Sequence, residues 1–264
     1  MDEILKFTIH CVLESGKIQR KYFGKKIGIR HKGTIDLVTD VDLACQERII
    51  SLIKDNFPDD EIISEEKKNY FGGDKKRWIV DPLDGTTNYA HGYPFFCTSI
   101  AYEENGFITL GVVYNPIFKE LFYAKKKEGA YLNKKRIFVS KIDNLKQALL
   151  STGFPYDLPT SKRNNIENFI SFIYEAQAIR RDGSAALNMC YLACGRFDGF
   201  WELKLKPWDM AAGSIIVEEA GGIITDFKGN KFDIYKDEIV ASNGLIHKDM
   251  LHVLQKNKSN WSEQ

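Results

Sequence analysis

The stretch from Trp78 to Asn88, WIVDPLDGTTN, places the tightest constraint on the fold of this chain. Its first three residues are apolar and predict a short buried strand that carries Asp81 to the strand end, where α/β proteins tend to bind ligands. Pro82 fixes its own φ and favours an extended Asp81, and Gly85 permits a backbone geometry that a side chain would block. The stretch therefore predicts a stiff turn that carries two carboxylates, Asp81 and Asp84, three residues apart.

A loop of this kind suits a metal ion and an anion at one place. Hard divalent cations such as Mg²⁺ prefer oxygen ligands in fixed geometry, which paired carboxylates on a rigid loop supply. Gly85, Thr86 and Thr87 can open a helix whose free N–H groups face an anion. Asp-Pro and Asp-Gly are also ordinary turn formers, and Asp84-Gly85 alone is equally compatible with a simple hairpin.

The length and composition indicate a globular protein without a bulk affinity for nucleic acid. A chain of 264 residues with 44% hydrophobic content can build one large domain or two modest ones. A net charge of +1 gives no overall electrostatic footprint for nucleic acid or an anionic membrane. No apolar run approaches membrane length and the N-terminus lacks an export pattern, so a cytoplasmic protein is expected.

The cysteines and histidines do not indicate a nucleophilic or zinc site. The five cysteines show no CxxC pair, which favours a reducing compartment and a role as small buried hydrophobes. Cys190 and Cys194 share a helix face, but no neighbouring His or second Cys pair completes a zinc site. No Ser/His/Asp or Cys/His arrangement indicates a protein nucleophile.

Hydrophobic periodicity divides the chain into an α+β half, residues 1–144, and an α/β half, residues 145–264. In the first half we expect helices over 2–23 and from Thr39 or Asp40 to about Asn56, and strands over 61–64, 78–80, 97–102, 107–114, 120–124 and 135–139. Asn105-Gly106 is a strong hairpin signal and Asn133-Lys134 a weaker one. In the second half we expect helices over 164–177, from Gly183, from Pro207 and from His247, and strands over 178–180, 197–203 and 238–241.

The stretch from Trp78 to Asn88 resembles the metal-binding signature of the inositol monophosphatase family. Further stretches match that family in the same chain order: Glu65-Glu66 after a strand, Gly183-Ser184-Ala185-Ala186, Trp208-Asp209-Met210-Ala211-Ala212-Gly213 and the glycine-containing run from Glu218 to Asp226. The resemblance covers nearly the whole chain, and Arg180 to Gly213 is most similar to the bacterial members. It implies a layered α-β-α-β-α sugar-phosphatase fold, of the type shared by inositol monophosphatase and fructose-1,6-bisphosphatase.

The resemblance implies two to three Mg²⁺ ions per site. Their ligands would be Glu65, Asp81, Asp84, Asp209 and the backbone oxygen of Leu83. Four carboxylates in one cleft would repel one another and raise each other's pKa unless cations neutralise them, so such a site expects metal. Ser64 stands where the family commonly has a glycine before its two glutamates.

The resemblance also assigns roles in hydrolysis by a metal-activated water. Glu65 and Thr86 would assist deprotonation of the water, and Asp42 would polarise the Thr86 hydroxyl. Lys32, on a loop that closes over the site in the family, would lie near the metals. Without the resemblance, Lys32 and Asp42 fit ordinary surface residues, and Asp209 fits a partner of a helix dipole.

The substrate contacts implied by the resemblance are Asp84, Gly85, Thr86, Gly183, Ser184, Ala185, Glu202 and Asp209. Glu202 matches an acid that accepts hydrogen bonds from inositol hydroxyls, which favours myo-inositol 1-phosphate as the substrate. Lys204 and Lys206 place positive charge near Glu202, which suits the second phosphate of fructose 1,6-bisphosphate. Asp182 would disfavour a second anion if it faced the pocket.

The partners expected from the resemblance are a small phosphorylated polyol or sugar and a second copy of the chain in a homodimer. One bacterial member of the family also acts in transcription complexes as an RNA-polymerase-associated factor. The near-neutral net charge argues against autonomous nucleic-acid binding, but it leaves a protein partner such as RNA polymerase open.

Overall fold

The structure is a computed structural model that describes residues 3–31, 33, 35–66 and 75–258. Within these residues the helices are α1 Glu3–Tyr22, α2 Asp40–Asn56, α3 Thr86–Ala90, α4 Ile166–Glu175, α5 Ala185–Ala193, α6 Pro207–Glu219 and α7 His247–Lys258. The strands are β1 Ile29–His31, β2 Leu37–Thr39, β3 Glu61–Ser64, β4 Lys76–Asp84, β5 Cys97–Glu104, β6 Phe107–Asn115, β7 Glu120–Lys125, β8 Gly129–Leu132, β9 Lys135–Arg136, β10 Leu149–Thr152, β11 Ala178–Arg180, β12 Gly199–Leu203, β13 Ile223–Thr225 and β14 Glu238–Ser242.

The strands form two large sheets and a small hairpin. The seven-stranded sheet has the order β3-β4-β5-β6-β7-β8-β9 and is antiparallel except for the parallel β3–β4 pair. The five-stranded sheet has the order β11-β10-β12-β14-β13, in which β10 pairs in parallel with both of its neighbours. The first half of the chain builds one sheet and the second half the other; the division near residue 144 into two units stays a prediction.

The helices separate the sheets into five layers. On β4, Trp78 and Val80 belong to a core shared with α1 and α2, whereas Ile79 belongs to a core shared with α5 and α6. This alternation is the period of two that a strand covered on both faces requires. A third core joins the five-stranded sheet to α4 and α7 through Phe172, Trp201 and their neighbours. The observed order is therefore α-β-α-β-α, as predicted.

Helix α6 lies directly on the seven-stranded sheet because β6 carries a glycine at the crossing. A Cβ on Gly111 would lie 2.6 Å from the backbone oxygen of Ala212 and 2.7 Å from Cγ2 of Ile215. Real Cβ atoms do not approach other heavy atoms this closely. The small residue Ala212 therefore allows close helix–sheet packing, whereas Gly213 allows close packing of α6 against Met189 of α5.

Several local predictions are confirmed. Gly24 follows α1 with a φ of +72°, as a helix-ending glycine does. Thr39 is the N-cap of α2, and its hydroxyl accepts hydrogen bonds from the backbone N–H groups of Val41 and Asp42. Asn105 and Gly106 have φ values of +53° and +79°, which fits the tight two-residue hairpin predicted there.

Other boundaries were predicted wrongly. Strand β4 does not end at Val80: its ladder with β5 continues to the Asp84–Cys97 pair, with an irregular register between Asp81 and Asp84. The predicted turn is thus a bulged strand end, because backbone pairing with β5 continues where the apolar pattern stops. Strand β8 was missed, β9 stops at Arg136 rather than residue 139, and α4 and β12 are shorter than predicted.

The cysteines are mostly buried thiols, as predicted. All five cysteines are free, four are buried, and Cys194 is half-buried. Within the described residues, none of the helices combines the length and apolar character needed to cross a bilayer.

Candidate active site

One cavity of about 480 Å³ lies where the ends of both sheets meet the starts of α3, α5 and α6. Acidic residues from several separate segments line it: Asp36, Glu65, Asp81, Asp84, Asp157, Glu202 and Asp209. The turn residues Gly85 and Thr86 and the segment Gly183 to Ala185 line it as well. The structure therefore brings together the predicted metal and substrate residues from both halves of the chain.

Asp81 and Asp84 lie on the bulged end of β4. Asp81 is 1% exposed, and its Oδ1 accepts a hydrogen bond from the backbone N–H of Leu83 at 3.0 Å. The register shift between Asp81 and Asp84 lets both residues reach the cavity although they are three positions apart. A regular strand alternates its side chains between faces, so residues three apart would point to opposite sides.

Asp84 is bound to the start of α5. Its Oδ2 accepts hydrogen bonds from Ser184 Oγ at 2.6 Å and from the backbone N–H of Ala186 at 2.8 Å. Ser184 is also the N-cap of α5, because its Oγ accepts a hydrogen bond from the backbone N–H of Leu187. One carboxylate thus joins the first-half sheet to the helix that carries the predicted substrate loop.

Asp209 lies in the first turn of α6. Its Oδ2 accepts a hydrogen bond from the backbone N–H of Lys206 at 2.7 Å, so it satisfies a free donor at the helix start as the dipole interpretation requires. The same side chain lines the cavity with Asp81 and Asp84. A helix-terminal role and a role in the site are therefore compatible for this residue.

Glu65 follows directly after β3, the parallel neighbour of β4. Of the pair Glu65-Glu66, only Glu65 lines the cavity, as predicted. The buried Ser64 hydroxyl donates to Gln46 Oε1, and the same oxygen accepts a hydrogen bond from the backbone N–H of Glu66 at 3.0 Å. Ser64 is accommodated at a position where the family commonly has glycine because Gln46 takes up its hydroxyl.

Asp42 and Thr86 are paired as predicted. The Thr86 hydroxyl lies 2.8 Å from Asp42 Oδ1, and Asp42 Oδ2 accepts a hydrogen bond from the backbone N–H of Thr39 at 2.9 Å. Asp42 is fully buried, and burial raises its pKa. The capping interaction at the start of α2 therefore holds a buried acid against the threonine that lines the cavity.

Gly85 is needed for the shape of the turn. Its φ is +94°, and a Cβ there would lie 3.0 Å from the backbone oxygen of Phe95 and 3.3 Å from that of Gly183. Residues with a side chain rarely adopt this φ, and the space for a Cβ is already filled. The glycine lets the turn that precedes α3 pack directly against the Gly183 segment.

The acidic side chains strongly perturb one another. Burial raises the pKa of Asp81 well above its usual range, and the nearby charges of Glu65, Asp84 and Asp209 raise it further. Burial likewise raises the pKa of Asp209 well above its usual range, with Glu65 and Asp84 contributing. Burial also raises the pKa of Asp84, despite its hydrogen bonds from Ser184 and Ala186.

Within the part of the chain that the structure describes, no group of three or more His, Cys, Asp or Glu side chains is arranged so that it could hold a metal ion. Asp81, Asp84 and Asp209 each have an oxygen held by a backbone N–H group instead. These bonds set the direction of each carboxylate but leave the mutual repulsion of the group in place.

Glu202, on β12, lines the same cavity. Its carboxyl group rests on Gly153, where a Cβ would lie 2.0 Å from Glu202 Oε1. Burial, and then the nearby charge of Asp84, raise the pKa of Glu202 to about 8, although the charge of Arg181 acts to lower it. The side chain keeps partial contact with the cavity, so this carboxyl group can exchange hydrogen bonds with a bound hydroxyl group.

The positive charges near Glu202 are only partly available to a second phosphate. Lys204 donates to Asp157 Oδ2 at 2.6 Å and to Ser161 Oγ at 2.6 Å, so its charge is already paired. Lys206 and Arg181 also line the cavity. Asp182 is not among the residues that line it; its backbone oxygen accepts a hydrogen bond from Asn88, and so the predicted conflict with a second anion does not arise.

Some residues of the site were missed from sequence. Asp36, Asn188 and the run from Gly153 to Asp157 all line the cavity. The Gly and Pro in GFPYD after β10 were a usable loop signal at a strand end. His91 and Tyr93 are exposed and do not line the cavity, as expected. Lys32 lies outside the described residues, so its predicted role stays a prediction.

Comparison with known proteins places the whole chain in one family of phosphatases. The model of the inositol monophosphatase family matches residues 1–259. The inositol-1-monophosphatase of Synechocystis is 42% identical over 252 residues, covering 95% of this chain and 88% of that protein. The Nus factor SuhB of Vibrio cholerae is 41% identical over 260 residues, covering 97% of each. The crystal structure of the extragenic suppressor protein suhB from Bartonella henselae superimposes with a TM-score of 0.92 at 37% identity, covering 97% of this chain and 99% of that one.

The chain belongs to the inositol monophosphatase family. The predicted family, its layered fold and its phosphatase class are thereby confirmed.

The Asp84–Ser184 contact yields a prediction for stability. Ser184→Ala removes an N-cap and a donor to a buried carboxylate, so we expect the free energy of unfolding to fall by about 1–3 kcal/mol. Ser214→Ala is the matched control, because the Ser214 hydroxyl only bonds to the Ala211 oxygen of its own helix. Urea unfolding of both variants measures the difference, and an equal loss in the two would contradict the role given to Ser184.

Proposed function

We propose that this protein is a Mg²⁺-dependent phosphomonoesterase that hydrolyses myo-inositol 1-phosphate, or a related inositol monophosphate, to inositol and phosphate. The observation that carries the proposal is the cavity itself. One part of its lining, the first wall, holds the carboxylates of Glu65, Asp81, Asp84 and Asp209 together with the start of α3. The other part, the second wall, holds Glu202 together with the segment from Gly183 to Ala185. The first wall suits a phosphate with its metals, and the second suits a polyol.

The donor set fits Mg²⁺. Carboxylate oxygens of Glu65, Asp81, Asp84 and Asp209, together with the backbone oxygen of Leu83, are the hard ligands this ion takes. Burial, and then the charges of the neighbouring carboxylates, raise the pKa values of Asp81 and Asp209, which supports uptake of cations by this group. Two or three ions, the number expected from the resemblance, would balance it. Bound Mg²⁺ supplies Lewis acidity that activates water and neutralises charge on the phosphate and leaving oxygens.

Thr86 and Asp42 are suited to orient the attacking water. Because the Thr86 hydroxyl donates to Asp42 Oδ1, its oxygen is left to accept a hydrogen bond from water in the cavity. Glu65 supplies a second acceptor on the same wall. The backbone N–H groups of Gly85 and Thr86 lie at the start of α3, where they favour negative charge on the phosphoryl oxygens.

The second wall determines which alcohol is bound. Glu202 and the segment from Gly183 to Ala185 would take hydroxyl groups of the ring, and the near-neutral pKa of Glu202 allows it to accept or donate. The pairing of Lys204 with Asp157 weakens the case for fructose 1,6-bisphosphate, because a second phosphate would have to compete with that carboxylate.

Relative activity on two esters tests the proposed substrate. We expect Mg²⁺-dependent phosphate release to favour inositol 1-phosphate over fructose 1,6-bisphosphate, and Asp84→Asn to abolish both activities. Glu202→Leu should lower kcat/KM for the inositol ester about ten- to hundredfold, since a hydrogen bond to a charged or strongly polar group is lost. Preference for the bisphosphate, or full activity of the Asp84 variant, would refute the proposal.

Thermal unfolding tests the metal site without turnover. Asp81→Asn keeps the acceptor for the Leu83 N–H but removes a repelled charge, so we expect the metal-free variant to unfold at a higher temperature, by roughly 2–4 °C for each kcal/mol of relieved repulsion. Mg²⁺ should raise the melting temperature of the native protein more than that of the variant.

The pH dependence has a defined sign. Because the folded pKa of Asp81 is raised, its destabilising effect is absent below the unfolded pKa, near 3.9, and grows as the pH rises toward the folded pKa. The stability gap between Asp81→Asn and the native protein, both without metal, should therefore widen with pH. A gap that stays constant or narrows would contradict the repulsion on which the metal site rests.

We propose that the protein forms a homodimer through α4 and the neighbouring sheet edge. Ile170, Ile173 and Tyr174 are 44%, 53% and 74% exposed along one side of α4. The adjacent strand β11 is the outermost strand of the five-stranded sheet. An apolar stripe beside a free strand edge suits a second copy of the chain.

Sedimentation tests this interface. We expect the native protein to sediment as a dimer and Ile173→Glu to shift it toward the monomer without loss of folding. Phe118→Glu, at a half-exposed residue in the turn between β6 and β7, serves as a surface control. A monomeric native protein, or a dimer that both variants leave intact, would exclude the α4 interface.

A second function follows from one comparison. The likeness to the Nus factor SuhB of Vibrio cholerae favours a protein partnership with RNA polymerase, alongside the phosphatase activity. A pull-down with RNA polymerase that shows no enrichment over a charge-matched control protein would count against it.

A further inference from the structure

Asn88 connects the two walls of the cavity. Its Nδ2 donates one hydrogen bond to the backbone oxygen of Phe95 and another to that of Asp182, each at 2.7 Å. Asn88 belongs to α3, on the phosphate side, whereas Asp182 lies 94 residues further along and directly precedes the Gly183 segment. We propose that Asn88 is a positioning residue that sets the hydroxyl-binding segment relative to the phosphate-binding turn; this rests on the proposed function.

The hydrogen bond to Asp182 fixes the direction of a donor in the cavity wall. The Asp182 carbonyl and the Gly183 N–H belong to one trans peptide unit and point in opposite directions. When Asn88 holds the carbonyl, the Gly183 N–H is directed away from Asn88. The same hydrogen bond polarises the peptide and makes that N–H a stronger donor.

Close packing makes the segment dependent on this one side chain. Gly183 has a φ of +83°, and a Cβ there would lie 3.2 Å from both polar atoms of the Asn88 amide. On the other side, a Cβ on Gly85 would lie 3.3 Å from the Gly183 oxygen. The two glycine segments and the amide are therefore in contact, with no room for another residue to take over the role.

The chemistry of the contact requires a primary amide. Both bonds come from one nitrogen to two carbonyl oxygens, so the group must carry two protons on a single neutral atom. A serine hydroxyl has one proton, and a carboxylate has none and would repel both carbonyls. Asn88→Asp retains the size of the side chain and reverses its hydrogen-bonding character, whereas Asn88→Ala removes the group.

The loss of kcat/KM, compared between two substrates, distinguishes a positioning role of Asn88 from a general structural role. An inositol ester uses both walls of the cavity, but 4-nitrophenyl phosphate carries no hydroxyl groups for the Gly183 segment. We expect Asn88→Ala and Asn88→Asp to lower kcat/KM for inositol 1-phosphate, mainly through KM, by about tenfold or more relative to the aryl ester. A merely destabilised enzyme would lose both activities in proportion.

Asn115 provides a matched control. It is a buried asparagine, whereas Asn88 is half-buried, and its Nδ2 donates to the Pro94 oxygen at 3.2 Å, next to the Phe95 oxygen that Asn88 binds. It makes no contact with the Asp182 carbonyl. Asn115→Ala should therefore leave the ratio of the two kcat/KM values unchanged, even where it lowers the melting temperature.

Hydrogen exchange of the metal-free protein supplies a readout independent of turnover. Peptides that contain residues 181–187 should exchange faster in Asn88→Ala than in the native protein or Asn115→Ala. An unchanged substrate ratio together with unchanged exchange would overturn the proposal. If the native protein hydrolyses only the aryl ester, the proposed function fails, while faster exchange at 181–187 still supports the positioning role of Asn88.

Discussion

The repulsion among the buried carboxylates at the end of β4 is the constraint on which the rest of the site depends. Asp81 is almost fully buried, and Glu65, Asp84 and Asp209 all act to raise its pKa. A protein can hold such a group together only where the surrounding structure is rigid. Here that rigidity comes from backbone N–H groups at the start of α5 and α6 and from the pairing of β4 with both neighbouring strands.

The acidic group forms only when a sheet and a helix from different halves of the chain meet. The ends of β3 and β4 deliver Glu65, Asp81 and Asp84, whereas α6 delivers Asp209. The central layer of α5 and α6 has to press against the first sheet to close the group, and Gly111 makes this close approach possible. Folding therefore brings like charges together at a cost in free energy, which protonation or a bound cation would lower.

Much of this could be predicted from sequence because local signals and chemistry agreed. The apolar run before Asp81, the strand before Glu65 and the proline at the start of α6 each placed an acid at the end of an element. The pairing of Asp42 with Thr86 could not be predicted from local signals. Its prediction rested on the family resemblance, because an acid in the first turn of α2 fits a helix cap equally well. In the structure Asp42 does both.

What could not be predicted depends on long-range contacts. The bulge that turns both Asp81 and Asp84 into the cavity arises from pairing with β5, which the sequence of β4 does not encode. The loop from Gly153 to Asp157 has ordinary turn residues, and only the approach of Glu202 gives Gly153 its importance. Asn88 lies inside the signature stretch, yet its partner is 94 residues away. Its place in the sequence does not indicate the contact with Asp182.

Two side chains of the β4–α3 region link the two halves at the site, in addition to the shared core and to contacts elsewhere such as those of Glu120 with Tyr191 and Arg196. Asp84 reaches Ser184 and Ala186, and Asn88 reaches Asp182, so the segment from Asp182 to Ala186 is held from the phosphate side at both ends. The first link uses the carboxylate that we propose as a cation ligand; the second uses a neutral amide. A cation at the proposed site would draw on the charge of Asp84 but not on Asn88, so the hydrogen bond from Asn88 to Asp182 does not depend on the charge of the acidic group. This contact can therefore persist while that charge changes.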